Sequence, residues 1–485
     1  MIFGVPDRVE HVCSIKVVTR HCRPLYLYRG FFLCLLPFIN IATLKYHYHY
    51  GGKMYNKEIE TLSREELTEI QNKNLIDMVN RIYNNVPLYR QKFDDAGVTP
   101  DDVKSIEDLH KLPFTVKQDL RDSYPFKLLT VPMNDVVRIH CSSGTTGKPT
   151  SIALTKKDID IWAEIAARSL SCAGLEQDGL LQVAYGYGLF TGGFGVHYGA
   201  EQIGATVLPM SIGNTAKQLM LMQDFGSTHL ACTPSYAHTM AEALEKQGKT
   251  GKDIPIKAGI FGAEPWSEEL RHMIEEKLDI KAYDIYGLSE IMGPGVAMEC
   301  SMQDGLHIWE DHFIAEIIDP DTLEVLPDGT EGELVITTIT KEGMPILRYR
   351  TRDISMIYTE QCACGRTHRK IKRIKARTDD MLIIRGVNVF PSQIEGVLLD
   401  VEGVQPHYSI IVTREGTLDN LEIQVELSDK FKLDTIADLE ELTKQLRQKL
   451  QSVLGIASTI KILEPNSLQR FEGKSQRVID KRKEQ

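Results

Sequence analysis

The sequence predicts an α/β protein: a large N-terminal domain of layered α/β sheets with a small β-barrel-like part, followed by a small α+β domain. Three observations predict it. Between Asp158 and Ile280, apolar runs such as "GLLQVAYGYG", "ATVLPM", "THLACTPS" and "KAGIFGAE" alternate with helical stretches such as "AKQLMLMQDFG" and "SYAHTMAEALEKQG", the pattern of a sheet covered by crossover helices. After Gly305 helical spacing gives way to "IAEIIDP", "GELVITTIT" and "PILRYRTRDISMIY", which read as antiparallel strands. Near Asp379 strand, helix and strand signals restart and run into a Lys/Arg-rich tail. A chain of 485 residues also exceeds what one core ordinarily organises, since domains hold about 100–200 residues.

The elements follow in order. Residues 1–53 differ from the rest. "RGFFLCLLPFINIATLKY" is apolar, but falls short of the ~20 residues that cross a bilayer and is broken by Pro37. Arg20, Arg23 and Arg29 precede it as they would a signal-peptide core, yet no small-residue cleavage site comes before "HYHYGGK". Met54 opens an amphipathic helical start that runs to about Tyr89, so residues 1–53 read as an extension outside the native protein. Next, "VVRIHCSSGTTGKPTSIALTKKDI" reads as strand, tight loop, strand. The expected division is 1–53 extension, 54–378 N-terminal domain and 379–485 C-terminal domain. A net charge of −11 excludes nucleic acid or an anionic membrane as the main partner. Nine cysteines, an odd number without a framework spacing, point to a reducing cytoplasm.

Chemistry concentrates in a few motifs. "HCSSGTTGKPT", His140 to Thr150, gathers glycines, hydroxyls and one lysine, a composition suited to an anion because backbone N–H groups can approach it closely. A nucleotide-binding loop of the G-x-x-x-x-G-K-[ST] type is excluded, since Pro149 and a strand follow Lys148 where a helix is required. The ordinary alternative is a surface hairpin. In "YDIYGLSE", Glu290 follows Tyr286 by four residues at a strand end, where one carboxylate suits Mg2+ on triphosphate oxygens. In "RYRTRD", Asp353 can accept both hydroxyls of a ribose, or pair on the surface with Arg350 or Arg352. "KARTDDMLIIRGVNVFPSQIE" and "QRFEGKSQRVID" complete an ordered series of five.

That series resembles the adenylate-forming acyl-CoA synthetases and, within them, the phenylacetate–CoA ligases. The narrower likeness rests on "SSGTTGKPT", "AYGYGLFTGGFGVHYG", "TPSYA", "FGAEPWSE", "YGLSE", "GLHIWEDHF", "LRYRTRD" and "RTDDMLIIRGVNVFPSQIE", and covers the chain from about residue 70 onward. The resemblance implies that Ser142, Ser143, Gly144, Thr145, Thr146, Gly147 and Lys148 hold the β- and γ-phosphates of ATP. It implies that Gly262, Ala263, Glu264 and Pro265 flank the adenine, with Asp284, Ile285, Tyr286 and Gly287 on the other side. Glu290 would hold Mg2+, Asp353 the ribose, and Lys474 the α-phosphate and substrate carboxylate, with Arg377, beside the hinge position, among the nucleotide-binding residues.

The reaction so implied has two halves: a carboxylate attacks the α-phosphate of ATP to give an acyl-adenylate and pyrophosphate, and the thiol of coenzyme A then displaces AMP. In that family the C-terminal domain rotates between the halves, so Asp379 matches the hinge and Gly386 would approach the pantetheine channel. Tyr185 and Phe190 are the expected walls of an aryl pocket, with Gly192 and Gly193 leaving room. The resemblance also implies a homodimer. Separately, Cys300, His307, Cys362 and Cys364 could form a closed zinc site of three thiolates and one imidazole. Cys232 with His238, or His368, are rival ligands, and unrelated reduced thiols are the ordinary alternative. Two other functions fit the same motifs: adenylyl transfer to a deazaflavin coenzyme without a thioester, and nucleotide sensing without catalysis.

Overall fold

The computed structural model describes residues 54–485 apart from 143–148, 359, 375, 379–381, 386, 416–417, 429–430, 432–434, 471–476 and 484–485. The expected extension, residues 1–53, lies outside the described residues.

The chain opens with three helices, α1 (Lys57–Glu60), α2 (Arg64–Asn85) and α3 (Pro87–Ala96). Ser63 and Glu66 close a capping box that starts α2, and Pro87 occupies the first turn of α3, where its missing N–H is not needed. Leu75, Met78, Val79 and Ile82 form the buried stripe of α2, the 3.6-residue period of "NLIDMVNRIY". Arg64 forks onto buried Glu310 at 2.9 and 2.6 Å, anchoring this helix to the body of the domain.

After α4 (Lys117–Asp122), β1 (Val136–Cys141) and β2 (Ser151–Thr155) pair antiparallel with Cys141 opposite Ser151. The expected strand, loop, strand arrangement is therefore present. Helix α5 (Lys156–Cys172) starts at Thr155, whose side chain is boxed with Asp158. Five parallel strands and four helices then alternate: β3 (Leu180–Val183), α6 (Gly192–Ile203), β4 (Thr206–Leu208), α7 (Thr215–Phe225), β5 (His229–Cys232), α8 (Pro234–Lys246), β6 (Ala258–Gly262), α9 (Glu268–Leu278) and β7 (Lys281–Leu288). Every residue of β5 and β6 is buried, as strands covered on both faces require. Helices α5 and α6 approach so closely that a Cβ at Gly199 would sit 2.6 Å from that of Ala166.

The antiparallel strands divide between two sheets. β8 (Gly293–Glu299), β9 (Leu306–Ile308), β13 (Ile357–Tyr358) and β14 (Lys370–Ile371) extend the large sheet, giving the order β13-β14-β9-β8-β7-β6-β5-β3-β4. β10 (Phe313–Ile318), β11 (Gly332–Thr338), β12 (Tyr349–Ser355) and β15 (Ala376–Arg377) form a separate antiparallel sheet, the part anticipated as barrel-like.

The C-terminal part holds the hairpin β16 (Leu382–Ile384) and β17 (Val387–Val389), α10 (Pro391–Leu399), β18 (Val404–Glu415), β19 (Leu418–Leu427), α11 (Ile436–Leu454), β20 (Thr459–Leu463) and β21 (Val478–Asp480). Its sheet runs β20-β19-β18-β21. It has its own core, in which Leu442, Leu446, Leu450 and Leu454 of α11 meet Ile410, Val412, Ile423 and Val425. Burying each such leucine stabilises by about 1.5–3 kcal/mol. The larger domain packs around two cores, one including Trp162, Trp309 and Phe313, the other Tyr236, Phe261 and Trp266. Among the described residues no helix is long and apolar enough to cross a membrane.

Candidate functional site

The candidate site lies where the C-terminal ends of β6 and β7 meet the small antiparallel sheet. β12 and β15 pair with Asp353 opposite Arg377, and that register builds a triad. Tyr286, near the end of β7, donates its hydroxyl to Asp353 Oδ2 at 2.6 Å, and Arg377 Nη1 donates to Oδ1 at 2.9 Å. Asp353 is 3% exposed. The surface pairing considered from sequence does not occur: Arg350 instead forks onto Glu333 at 3.1 and 2.7 Å, and Arg352 reaches that same carboxylate. Burial first, then the charge of Asp353, raises the Tyr286 hydroxyl well above its ordinary pKa, so it remains a donor.

Glu290 follows β7. Tyr349 donates its hydroxyl to Glu290 Oε1 at 2.6 Å, and buried Lys341 donates Nζ to the Glu290 carbonyl at 2.7 Å. Burial lowers the Lys341 pKa to about 8 against the opposing pull of Asp158 and Glu290. Neither supporting residue was singled out from sequence. A signal for Tyr349 existed: Tyr349, Thr351 and Asp353 alternate along β12 and share one face, as a period of two requires. Lys341 lies in the loop after β11 and had no such pattern.

The strip expected beside the adenine is assembled at the ends of β6 and β7. A Cβ at Gly262 would overlap the Ile285 carbonyl, which accounts for glycine there. Ala263 takes the left-handed backbone region at φ 71°. Glu264 accepts the Ser235 N–H at 2.9 Å at the start of α8, tying "TPSYA" to "FGAEPWSE". Asp284 is held by Arg373 Nε at 3.0 Å, and its N–H donates to Glu299, whose pKa burial pushes up to about 7 despite Arg271. Pro265 continues the strip and Gly287 faces Pro294 across the β7–β8 pair. The Ser142 and Thr150 hydroxyls bond to each other across the mouth of the β1–β2 hairpin. Ser143, Gly144, Thr145, Thr146, Gly147 and Lys148 lie outside the described residues, as do Lys474, Asp379 and Gly386.

Tyr185 is buried with its hydroxyl beside the Gly262 backbone, next to the nucleotide strip. Phe190 is half-exposed and packs over Gly192 so tightly that a Cβ there would overlap its ring. Gly193 donates to the Gly186 carbonyl at 3.3 Å.

The four candidate zinc ligands converge. The ligating atoms of Cys300, His307, Cys362 and Cys364 all lie within 4.8 Å of one another. Cys300 Sγ is 3.6 Å from Cys362 Sγ, and Cys364 Sγ is 3.4 Å from His307 Nε2. A tetrahedral zinc with the usual bond lengths has S···S edges of ~3.8 Å and S···N edges of ~3.5 Å. His307 Nδ1 meets the His368 carbonyl at 2.8 Å, so Nε2 faces the thiols, the second-shell arrangement of a metal-binding histidine. Burial opposes charging His307, but hydrogen bonds to Cys362 and Cys364 raise its pKa to about 9. The rivals fall elsewhere: Cys232 is buried in a separate core, and both ring nitrogens of His368 face backbone groups of Ile59, Ile308 and Glu310.

Comparison with known proteins follows from this geometry. Residues 64–340 match the family model described as AMP-binding enzyme, and residues 386–482 the one described as AMP-binding enzyme C-terminal domain. Curated relatives include a phenylacetate-coenzyme A ligase of Thermus thermophilus, 49% identical over 444 residues, covering 89% of this chain and 100% of the relative. Another, from Escherichia coli, is 51% identical over 426 residues, covering 87% and 97%. Among solved structures, a 2-hydroxyisobutyryl-CoA ligase in the postadenylation state with 2-HIB-AMP superposes with a TM-score of 0.83 at 28% identity, over 88% of this chain and 92% of that one. The same ligase in its thioesterification state, over the same shares of both chains, gives a TM-score of 0.66 at 29% identity.

Proposed function

Because the chain belongs to the phenylacetate–coenzyme A ligases of the AMP-binding enzyme family, we propose how its own residues carry the two half-reactions. It is an acid–thiol ligase that activates phenylacetate with ATP and joins it to coenzyme A. The observation that carries the site assignment is the buried Asp353, held between Tyr286 and Arg377 at the end of the nucleotide strip.

In this reading Asp353 accepts the two ribose hydroxyls of ATP, with Tyr286 and Arg377 fixing its carboxylate. Gly262 to Pro265 on one side and Asp284 to Gly287 on the other enclose the adenine, and Ser142 to Lys148 hold the β- and γ-phosphates. The acid's carboxylate oxygen attacks the α-phosphorus and pyrophosphate leaves. Lys474, a point charge on a long stem, would stabilise charge developing on the α-phosphate oxygens. The thiolate of coenzyme A then attacks the acyl carbon, and AMP departs with its phosphate oxygen. Tyr185 and Phe190 would wall the phenyl group, with the absence of a side chain at Gly192 giving room to the Phe190 ring itself.

Two metals belong to the proposal. Glu290 fits Mg2+: it is one buried carboxylate, oriented by Tyr349 and leaving coordination sites for substrate phosphates. The ion would supply charge neutralisation of the triphosphate. Cys300, His307, Cys362 and Cys364 fit a structural zinc ion, on the distances and the His368 support above.

Asp379 is the proposed hinge and domain boundary, with Gly386 lining the coenzyme A path in the rotated arrangement. Higher similarity to the postadenylation than to the thioesterification state of the same relative supports reading the present arrangement as the one around adenylate formation. A cytoplasmic location and a homodimer complete the proposal, the first resting on cysteine usage and the second on the family. The test is an acid panel with AMP release followed with and without coenzyme A. CoA-dependent release and a thioester with phenylacetate support the reading. Turnover only with another aryl acid would overturn the pocket assignment, and none with any acid would overturn the catalytic roles.

A further inference from the structure

A second group of metal-type ligands lies apart from both sites, between the two domains. His238 and Glu242 stand one turn apart on α8, and His407 reaches them from β18 of the C-terminal domain. Their ligating atoms all lie within 4.8 Å of one another. His407 Nε2 is 3.0 Å from Glu242 Oε2, and His238 Nε2 is 3.5 Å from Glu242 Oε1. Nitrogen and oxygen ligands on a tetrahedral zinc ion are ~3.3 Å apart. His238 is 1% exposed; Nδ1 has no hydrogen-bond partner among the described residues, and Nε2 has only the long 3.5 Å approach to Glu242. A buried imidazole so poorly satisfied is costly, and an ion shared with Glu242 and His407 removes that cost. A cavity of about 160 Å³ lined by both histidines adjoins the cluster, with room for a water as fourth ligand. Of the neighbouring cations, Arg477 bonds Glu395 and Tyr408 and Lys277 pairs with Glu245, while Arg470 forks onto Glu426 and also approaches Glu242 Oε2 with Nε at 3.8 Å.

We propose that His238, Glu242 and His407 bind a divalent transition-metal ion of the zinc class across the domain interface, and that the ion holds the present arrangement against rotation toward thioester formation. Two imidazoles and one carboxylate select zinc and its neighbours over Mg2+ or Ca2+, which take oxygen ligands. Rotation of the C-terminal domain separates His407 from α8, so the ion binds one arrangement only and shifts the equilibrium toward it by mass action. The site itself is independent of the catalytic reading; its inhibitory effect rests on the domain rotation proposed above.

The test uses the full-length enzyme as purified, titrated with ZnCl2 by calorimetry. One saturable site is expected beyond any zinc retained through dialysis, weakened at least about tenfold in His407→Gln. Identical isotherms for the two proteins would overturn the site. If His407→Gln does not fold, as judged by circular dichroism, Glu242→Gln takes its place with the same two outcomes. The half-reactions then read the latch. Bound zinc should slow thioester formation from supplied phenylacetyl-adenylate by a factor within about 5–150, a usual range for coupled sites, while pyrophosphate release is unchanged. Coenzyme A also chelates zinc, so the comparison is with His407→Gln at equal free zinc. Equal slowing of both half-reactions, or equal slowing in both proteins, would overturn the latch. Failure of the ligase reading would leave the binding isotherms as the deciding result for the site.

Discussion

Replacing Asp353 with Asn keeps the shape of the side chain and removes the charge on which the nucleotide assignment depends. In the folded protein Asp353 accepts the Tyr286 hydroxyl on one oxygen and Arg377 on the other, so its carboxylate is aimed before any ligand arrives. The amide retains one acceptor oxygen and presents N–H donors where a second ribose hydroxyl would donate. A hydrogen bond to a charged group contributes about 1.5–3 kcal/mol. Losing one bond outright and the charge assistance of the other lowers kcat/KM for ATP by about 2–4 kcal/mol, roughly 30- to 1,000-fold. The informative assay compares pyrophosphate release from ATP and from 2′-deoxy-ATP in both proteins. The wild type should prefer ATP by about 10- to 150-fold, the worth of one charge-assisted bond, and the variant's preference should fall toward one. If Asp353→Asn discriminates between the two nucleotides as strongly as the wild type, Asp353 does not hold the 2′-hydroxyl and the ribose assignment is wrong.

Three further predictions concern other parts of the molecule. Metal analysis should find one zinc per chain with the four-ligand cluster, and Cys364→Ser should lose it and lower the melting temperature by about 5–10 °C, as losing a few kcal/mol does in a domain this size; an unchanged zinc content would exclude the cluster. Lys474→Ala should suppress adenylate formation by about 10²–10³-fold and spare thioester formation from supplied adenylate, and equal loss of both would reject the two-arrangement mechanism. Burial raises the Glu310 pKa, but hydrogen bonds from Arg64 and the charge of Arg369 outweigh it and bring it from 4.5 to about 2. A carboxyl depressed in the folded state stabilises above pH 4.5 and loses that contribution as pH falls toward 2, amounting to about 3 kcal/mol. Glu310→Gln should therefore be less stable at neutral pH in urea unfolding, and a difference that persists undiminished at the lowest pH would contradict this origin.

The layered sheet was legible because fully buried parallel strands such as "HLAC" and "AGIFG" admit almost only small or apolar residues, and the helices between them keep a 3.6-residue stripe. The division of the later strands was not. β9 and β10 are both short apolar strands only a few residues apart in the chain, yet one extends the large sheet and the other begins the small one. That choice is made by partners distant in the chain, Lys370 for His307 and Thr338 for Phe313, which local propensity does not record. The same holds for the sites. Asp353 carried a local motif, but its partner Arg377 is set by strand register. His407 carried none, since a histidine in "VQPHYSII" acquires its ligand-like setting only when β18 docks against α8.

That docking differs in kind from the packing inside either domain. Each domain closes its own apolar core, whereas the described links between them are mainly polar: His407 to Glu242, Arg470 toward Glu242, Lys246 to Asn466 at 2.9 Å, and the Ser267 N–H to Glu395 at 3.3 Å. Polar contacts of this kind can be exchanged for water when the domains separate, whereas buried apolar side chains cannot. Leu399 of α10, packed beside the core of α8 and α9, is an apolar contact that crosses. An interface of this kind permits a change of domain arrangement without disturbing either fold. It also makes the present arrangement sensitive to anything that adds a single strong bond across it, which is the position that His238, Glu242 and His407 occupy.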